Sequence, residues 1–230
     1  MKHPYANAYD YVLPVYKRFF DLVMAIVLLI ITWPIWMLIA ILIGVETKGQ
    51  VIYHTKRVGA GRKVFTLYKF RTMCIGADRM VGDMAHLNVY HQDDLADKAL
   101  IFNKFEPDFR VTKIGNFLRL SHLDELPQLF NVIKGEMSIV GNRPLECYEA
   151  EQLINRNETL RFDAPSGMTG LWQVQQYRKK RLLEQERIAL DNRYAVEQSF
   201  ALDMLILIKT IPIVLIWPKF THNDQREVNN

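Results

Sequence analysis

The feature that most constrains this sequence is an uncharged, apolar run near its N-terminus. Residues Leu22–Val45 include no Asp, Glu, Lys or Arg. A helix rises about 1.5 Å per residue, so this run is long enough to cross a hydrocarbon core of roughly 30 Å. It is apolar on every face, which burial in a soluble core explains poorly, and it is too long for a signal peptide. The sequence therefore predicts a membrane-resident segment.

Two features favour a helix that enters the membrane and returns over one that crosses it. Pro34 lies in the middle of the run, where a missing backbone donor predicts a break. Both flanks are basic, with Lys17 and Arg18 before the run and Lys56 and Arg57 among the cations after it. Basic flanks are typical of the cytoplasmic side of a membrane. These residues favour a re-entrant helix and leave a kinked spanning helix open.

The rest of the chain predicts an α+β fold that is mostly helical. The segments "VIYHTKR" and "KVFTLYKF" flank a glycine turn, which is typical of a small β-hairpin. The segment 75–110 is polar and reads as an insert of unassigned role. Helical spacing follows in "DELPQLFNVIKG", closed by Gly135, and in "KKRLLEQERIALDNRYAVEQS".

The last apolar segment, "FALDMLILIKTIPIVLIW", predicts an interfacial or core helix, because it carries Asp203, Lys209 and a proline. The expected organisation has three parts: an N-terminal segment with the re-entrant helix at 1–47, a domain at the membrane surface at 48–218, and a disordered tail at 219–230.

The charge balance indicates an anionic partner. The formal net charge is +4 and the isoelectric point is about 9.0, which suits nucleic acid, a phosphorylated small molecule or an acidic membrane surface. The cations do not cluster along one helix and no nucleic-acid-binding motif is present, so we expect no nucleic acid partner. Two cysteines, Cys74 and Cys147, are too few for a disulfide framework or a cysteine-based metal site.

An acid pair stands out in "RLSHLDELPQLFNVIKGEMSIVGNRPL". Asp124 and Glu125 are adjacent, and two interpretations of them stay open. In one, Ser121 caps a helix and the acids occupy its first turn, where negative charge suits the helix dipole. In the other, one acid attacks a substrate while the other handles a proton or a metal.

The surrounding cations favour chemistry at the acid pair. Lys69 and Arg71 stand at a strand end, Arg119 precedes the acids, and Arg143 sits in a turn before Pro144, which restricts its backbone. Guanidinium groups that are held in place suit phosphate oxygens. We expect these four cations to bind the phosphates of a substrate that meets a lipid.

These residues belong to a series of motifs that resembles the bacterial sugar transferase family, the monotopic polyprenyl-phosphate phosphoglycosyl transferases. The resemblance extends from Lys17 to Thr210. It rests on several blocks in the same order: "KRFFDLVMAI", "VIYHTKRVG", "FTLYKFRTM", "TKIGNFLRLSHLDELPQLFNVIKGEMSIVGNRPL", "GMTGLWQV" and "LDNRYAVEQSFALDMLILIKT".

The resemblance implies a reaction and a set of roles. Members of the family transfer a sugar-1-phosphate from a nucleoside diphosphate sugar, usually a UDP-sugar, to polyprenyl (undecaprenyl) phosphate, with release of UMP and with Mg²⁺ as cofactor. Asp124 matches the nucleophile, which forms an aspartyl-phosphosugar intermediate, and it is the expected metal ligand. Glu125 matches the second acid, which deprotonates or orients the lipid phosphate. Lys69, Arg119 and Arg143 match basic phosphate-site positions.

The resemblance also implies a location and a pathway. It strengthens the re-entrant interpretation of the helix around Pro34 and places a monotopic enzyme on the cytoplasmic face of the bacterial inner membrane, among membrane lipids. The expected role is the first membrane step in the synthesis of an exopolysaccharide, a lipopolysaccharide or another glycoconjugate. The transferred sugar and a homodimeric state are left open.

Two departures from the family pattern bear on the site. Asn142 replaces a proline in "GNRP", which is expected to loosen the turn that holds Arg143. The loop "DAPSGMTG" lacks a family arginine, which leaves the selectivity for base or sugar open. The alternative function is a non-catalytic, membrane-anchored scaffold that binds lipid, in which Asp124 and Glu125 only cap a helix.

Overall fold

A computed structural model describes residues 8–77, 108–176 and 183–216. Their fold is α+β and mostly helical, as predicted. In chain order the elements are α1 (Val15–Glu46), β1 (Ile52–Val58), β2 (Val64–Phe70), α2 (Lys113–Leu120), a 3₁₀ turn (Leu123–Glu125), α3 (Gln128–Lys134), β3 (Ser138–Val140), β4 (Leu145–Glu146), α4 (Cys147–Asn155), β5 (Gly167–Thr169), α5 (Leu171–Gln176), α6 (Glu184–Glu197) and α7 (Phe200–Ile216). Most of the predicted insert and the whole predicted tail lie outside the described residues.

The predicted β-hairpin is confirmed. Strands β1 and β2 pair antiparallel, β4 adds to the free edge of β1, and β3 and β5 form a separate parallel pair. In the hairpin register His54 lies opposite Tyr68, and Tyr53 lies opposite Lys69. Successive side chains of a strand point to opposite faces. The side chains of His54 and Tyr68 therefore share one face of the hairpin, and that of Lys69 lies on the other.

The main hydrophobic core joins the apolar helix α1 to the rest of the domain. Its buried side chains come from α1, the hairpin, α3, β3, α6 and α7, and include Ala25, Leu129, Val132, Tyr194 and Ile206. Burying one large aliphatic side chain contributes about 1.5–3 kcal/mol. The first half of α1 is thus packed into the same core as the strands and helices that carry the predicted site.

Helix α1 has 32 residues and continues through Pro34, so the predicted break is not confirmed. One stripe of the helix is buried against the domain, at Lys17, Asp21, Ala25, Ile39 and Ile43. The remaining surface is apolar and exposed, as at Ile30, Ile31, Trp33, Met37 and Ile41. Among the described residues, α1 alone is long and apolar enough to cross a membrane.

Both ends of α1 form hydrogen bonds to helices of the domain that follows it. Near its start, Arg18 donates hydrogen bonds to the carbonyl oxygens of Val132 and Ile133 at the end of α3 (2.5 and 2.6 Å). At its last residue, the Glu46 carboxylate accepts a hydrogen bond from the amide of Ile114 in the first turn of α2 (3.2 Å). The Arg18 cation thus lies at the negative C-terminal end of the α3 dipole, and the Glu46 anion lies at the positive N-terminal end of the α2 dipole. Both ends of the helix are therefore anchored to the domain.

Candidate active site

The acid pair lies in a short 3₁₀ turn between α2 and α3. His122, with φ of 57°, adopts the left-handed conformation after α2, and the turn Leu123–Glu125 follows it. The prediction that Ser121 caps the helix of the acids is wrong, because Ser121 ends α2 and its hydroxyl donates to the carbonyl of Phe117. The helix after the acids ends before Gly135, as predicted, but it begins only at Gln128, after the acids rather than with them.

Glu125 is neutralised by two cations. Its Oε1 accepts hydrogen bonds from Lys69 Nζ (3.1 Å) and from an Arg143 guanidinium nitrogen (3.0 Å). Burial by itself would raise the pKa of Glu125, but Lys69 and Arg143 outweigh it and hold that pKa well below its usual range. Glu125 therefore stays ionised and fixes the positions of two cations.

Asp124 is buried beside this cluster, with 7% of its surface exposed. Its Oδ2 lies 3.7 Å from Lys69 Nζ, beyond hydrogen-bond distance. Burial raises the pKa of Asp124; Lys69 opposes this rise and the neighbouring Glu125 charge adds to it. Of the two acids, Asp124 is thus the one that takes up a proton first as the pH falls.

Arg119 approaches the pair from α2. Its Nε donates to Thr72 Oγ1 (2.9 Å), and its guanidinium lies 4.0 Å from an Asp108 carboxylate oxygen. Burial lowers the pKa of Arg119, while the charges of Asp124 and Asp108 oppose that change. The sequence analysis gave no role to Thr72, which lies in the block "FTLYKFRTM", or to Asp108. The structure brings Lys69, Arg119 and Arg143 around the acids.

The Arg71 side chain bonds to the segment that follows α1, not to the acid pair. Its guanidinium donates to the carbonyl and hydroxyl of Thr47 (2.9 and 2.6 Å) and to the carbonyl of Lys48 (3.3 Å). These groups form the C-terminal end of α1, where a cation suits the helix dipole. Its predicted part in binding substrate phosphates stays a prediction.

The turn that carries Arg143 is firmly held, contrary to the expectation of a loosened turn. Asn142 is buried, and its side-chain amide donates to the carbonyls of Arg161 (3.0 Å) and Asp191 (2.9 Å). Arg161 in turn donates to the carbonyl of Arg143 (2.6 Å) and pairs with the Asp191 carboxylate (3.0 Å). Asn142 thus replaces the stiffness of a proline by hydrogen bonds. Nothing in the sequence spacing pointed to Arg161 or Asp191.

The acid pair has the donors that Mg²⁺ prefers. No group of three His, Cys, Asp or Glu side chains that could hold a metal occurs within the described ranges. Mg²⁺ does not need such a group, since one or two carboxylates together with substrate phosphates and waters suffice. The Glu125 carboxylate accepts hydrogen bonds from Lys69 and Arg143. The Asp124 carboxylate lies 3.7 Å from Lys69, beyond hydrogen-bond distance. The residues present therefore fit a Mg²⁺ ion that binds with its substrate.

A buried carboxylate, Asp124, and a half-buried one, Glu125, thus lie among three cations on a domain that packs against an apolar helix. Residues 12–217 match the family model described as bacterial sugar transferase. The chain belongs to this family, and it is a transferase.

Curated relatives agree with this assignment. The exopolysaccharide production protein ExoY of Sinorhizobium fredii is 36% identical over 200 residues, covering 87% of this chain and 85% of that protein. The undecaprenyl-phosphate galactose phosphotransferase of Salmonella typhimurium is 35% identical over 205 residues, covering 86% of this chain and 40% of that protein. The UDP-glucose:undecaprenyl-phosphate glucose-1-phosphate transferase of Klebsiella pneumoniae is 35% identical over 202 residues, covering 86% and 39%.

Proposed function

We propose that this chain transfers a sugar-1-phosphate from a UDP-sugar to undecaprenyl phosphate in two steps at one phosphorus atom. In the first step an Asp124 carboxylate oxygen attacks the phosphorus that carries the sugar, and the bond from that phosphorus to the leaving phosphate oxygen breaks, which releases UMP. In the second step a phosphate oxygen of the lipid attacks the same phosphorus. The aspartyl bond breaks, Asp124 is regenerated as a carboxylate, and the product is a lipid diphosphate sugar.

The unequal surroundings of the two acids carry this proposal. A nucleophile needs an available electron pair, and the carboxylate of Glu125 is occupied by two hydrogen-bonded cations. Asp124 has a pKa raised by burial and lies farther from Lys69, so its ionised form is the more reactive one. Because its pKa is so low, Glu125 is a poor base. Its proposed work is to orient Lys69 and Arg143.

The three cations act on the phosphates. Lys69, Arg119 and Arg143 converge from β2, α2 and the turn after β3. An anionic nucleophile is repelled by a diphosphate, and phosphoryl transfer depends mainly on neutralising charge in the transition state. Asp124 together with the donor's diphosphate would hold Mg²⁺, which when bound supplies further neutralisation of the leaving phosphate.

The packing of α1 supports a monotopic arrangement on the cytoplasmic face of the inner membrane. Arg18 near the start of α1 and Glu46 at its end both bond to the domain. A helix that crossed roughly 30 Å of hydrocarbon while bonded to the domain at both ends would carry the charged surface of that domain into the hydrocarbon. We propose that α1 enters and leaves through the same leaflet, and that the protein carries out the first membrane step of an exopolysaccharide or related pathway.

The test is to trap the intermediate. Full-length protein is incubated with Mg²⁺ and a UDP-sugar labelled in its sugar-phosphate, without lipid acceptor, and is then quenched and digested. We expect label on the peptide that contains Asp124, and removal of that label when undecaprenyl phosphate is added. Asp124→Asn is expected to give no adduct, whereas Asp10→Asn, at an exposed carboxylate that pairs with Lys63, keeps it.

Two results would overturn the proposal. One is turnover by Asp124→Asn at the rate of the unchanged protein. The other is binding of lipid without any release of UMP from a panel of UDP-sugars, which would instead support the non-catalytic scaffold.

A further inference from the structure

A groove of about 290 Å³ opens on the hairpin face that lies opposite Lys69. Its walls come from three elements: Trp36 of α1, His54 and Tyr68 of the hairpin, and Phe130 and Lys134 of α3. The groove is therefore built between the apolar helix and the catalytic domain, where the protein meets the membrane in the proposed arrangement.

The lining of the groove is mainly aromatic. The rings of Trp36 and Phe130 meet edge to face with centroids 5.4 Å apart, and those of His54 and Tyr68 do so at 5.3 Å. Phe130 keeps 45% of its surface exposed, so its ring is accessible to a ligand. Aromatic rings with polar edges are typical of sites at the boundary between hydrocarbon and lipid headgroups.

The groove continues onto the outer face of α1. Trp33 and Met37 flank Trp36 in the helix and are 58% and 56% exposed. An apolar chain that lies against this face of α1 is therefore next to Trp36, which lines the groove. This continuity indicates an occupant that comes from the bilayer.

One side of the groove is basic. Lys134 Nζ lies 4.5 Å from the centroid of the Tyr68 ring and donates to its hydroxyl (2.5 Å). Lys56 shares the strand face of His54 and donates to Thr66 Oγ1 (2.9 Å). An ammonium group has three donors, and each lysine uses one of them in these bonds.

One acid lies near this basic side. The carboxylate of Glu136 accepts a hydrogen bond from the side chain of Asn131 (2.7 Å), which also bonds to the edge of β2. Glu136 is thus held at the strand edge. Its charge acts on Lys134, the cation that lines the groove.

We propose that this groove binds one anionic phospholipid of the surrounding bilayer, with an acyl chain against Trp36 and Phe130 and the headgroup phosphate at Lys134. The combination of an apolar wall and a cation selects this ligand, because a neutral lipid lacks the charge and a soluble phosphate lacks the chain. The site lies on the opposite hairpin face from Lys69, so its occupant is not the reacting lipid. It is distinct from the proposed reaction and does not depend on it.

The test measures retained lipid directly. Full-length protein is placed in nanodiscs of phosphatidylcholine and phosphatidylglycerol and released for native mass spectrometry, and the fraction that carries one phosphatidylglycerol is recorded. Loss of one basic contact to an anionic lipid is expected to lower that fraction about fivefold in Lys134→Gln. Phe130→Ser is expected to lower it as well, through lost contact with the acyl chain.

Matched controls separate the groove from general membrane contact. Lys113→Gln removes an exposed lysine from α2, and Phe117→Ser removes a ring on α2 that is 56% exposed. Both are expected to retain phosphatidylglycerol as the unchanged protein does. Phe130 is partly exposed, and a thermal scan of Phe130→Ser verifies that it is folded.

Three results would overturn the proposal. Phosphatidylcholine retained as strongly as phosphatidylglycerol would remove the role of Lys134. Equal loss in the groove variants and the α2 controls would show only general membrane contact. Displacement of the retained lipid by one equivalent of undecaprenyl phosphate, dependent on Lys134, would assign the groove to the acceptor lipid instead.

Discussion

Two buried charge clusters in this protein differ in how completely their charges are paired. In the anchor cluster, Lys17 of α1 bonds to Asp203 of α7 (2.5 Å) and to the carbonyl of Val140, and the hydroxyl of Tyr194 donates to the other Asp203 oxygen (2.7 Å). The two ionised side chains are only 7% and 5% exposed. One cation meets one anion, and each has further polar partners.

The acid cluster of Lys69, Asp124, Glu125 and Arg143 has a different arrangement. Both cations bond to Glu125, and Asp124 is left 3.7 Å from the nearer one. The Arg143 side chain keeps 35% of its surface exposed. Complete pairing stabilises a fold, whereas incomplete pairing leaves groups that a substrate can use. This difference supports the proposal that the second cluster carries the chemistry, while the first holds the fold together.

The largest expected effect is on turnover in Asp124→Asn. Loss of the nucleophile is expected to lower the rate of UMP release by at least about a thousandfold. Burial raises the pKa of Asp124, so its ionised form is unfavourable in the folded protein and a neutral amide is expected to maintain or raise the thermal midpoint. Loss of activity together with a large loss of stability would contradict the contrast between the clusters.

The opposite pattern is expected in Asp203→Asn. Removing one partner of a buried ion pair leaves Lys17 without its bonded carboxylate, with Asp21 one turn away in α1 as the remaining acid of that stripe, and is expected to cost about 3 kcal/mol of unfolding free energy. The remaining folded protein is expected to form the Asp124 adduct at the unchanged rate. Denaturant unfolding in a fixed lipid or detergent environment measures the first quantity, and quenched labelling measures the second.

Two controls sharpen this stability prediction. Glu197→Gln breaks an exposed pair with Arg193 on α6 and is expected to change stability little. The double change Lys17→Met with Asp203→Leu removes both buried charges and is expected to recover most of the loss. A double variant as unstable as Asp203→Asn would show that the ion pair is not the source of the effect.

The acid cluster also predicts opposite pH shifts in two variants. Adduct formation requires ionised Asp124, whose pKa is raised by burial, lowered by Lys69 and raised by Glu125. In Lys69→Gln the rise in adduct formation with pH is therefore expected at higher pH than in the unchanged protein. In Glu125→Gln it is expected at lower pH, since a like charge is lost. Rapid-quench labelling across pH measures both, and shifts in the same direction would contradict the assigned coupling.

The smallest effect is expected in Asn142→Ala. Asn142 holds the turn of Arg143 through two hydrogen bonds, each contributing about 1 kcal/mol. Misplacement of Arg143 is expected to lower kcat/KM for the donor about tenfold, while the acid limb of the pH profile changes little. Asn155→Ala, at an exposed site on α4, serves as the control. A profile displaced as far as in Lys69→Gln would show that Asn142 acts on the charge of Asp124 instead.

The local elements were predictable because their signals lie within short segments. The glycine turn between two β-rich segments predicted the hairpin, and Gly135, with φ of 82°, ends α3 as its position indicated. The acid pair and three of its four expected cations were found from residue type and motif, and they do converge.

Other features depend on contacts between distant segments. Ser121 has the residue type of an N-cap but ends α2, because the left-handed His122 turns the chain before the acids. Arg71 has the same local signal as Lys69, yet Thr47 and Lys48 bind its guanidinium. The residue types near Ser121 and Arg71 do not distinguish these outcomes. The first depends on the direction that the chain takes at His122, and the second on hydrogen-bond acceptors more than 20 residues away in the sequence.

The sequence by itself determined that this chain has a membrane-type helix, a hairpin and a pair of acids among cations, because apolar periodicity, turn residues and charge act over a few residues. Only the tertiary structure decided which acid is neutralised, which arginine reaches it and what holds the turn of Arg143. Those outcomes depend on burial and on hydrogen bonds between residues such as Asn142 and Asp191, which come together only when the chain is folded.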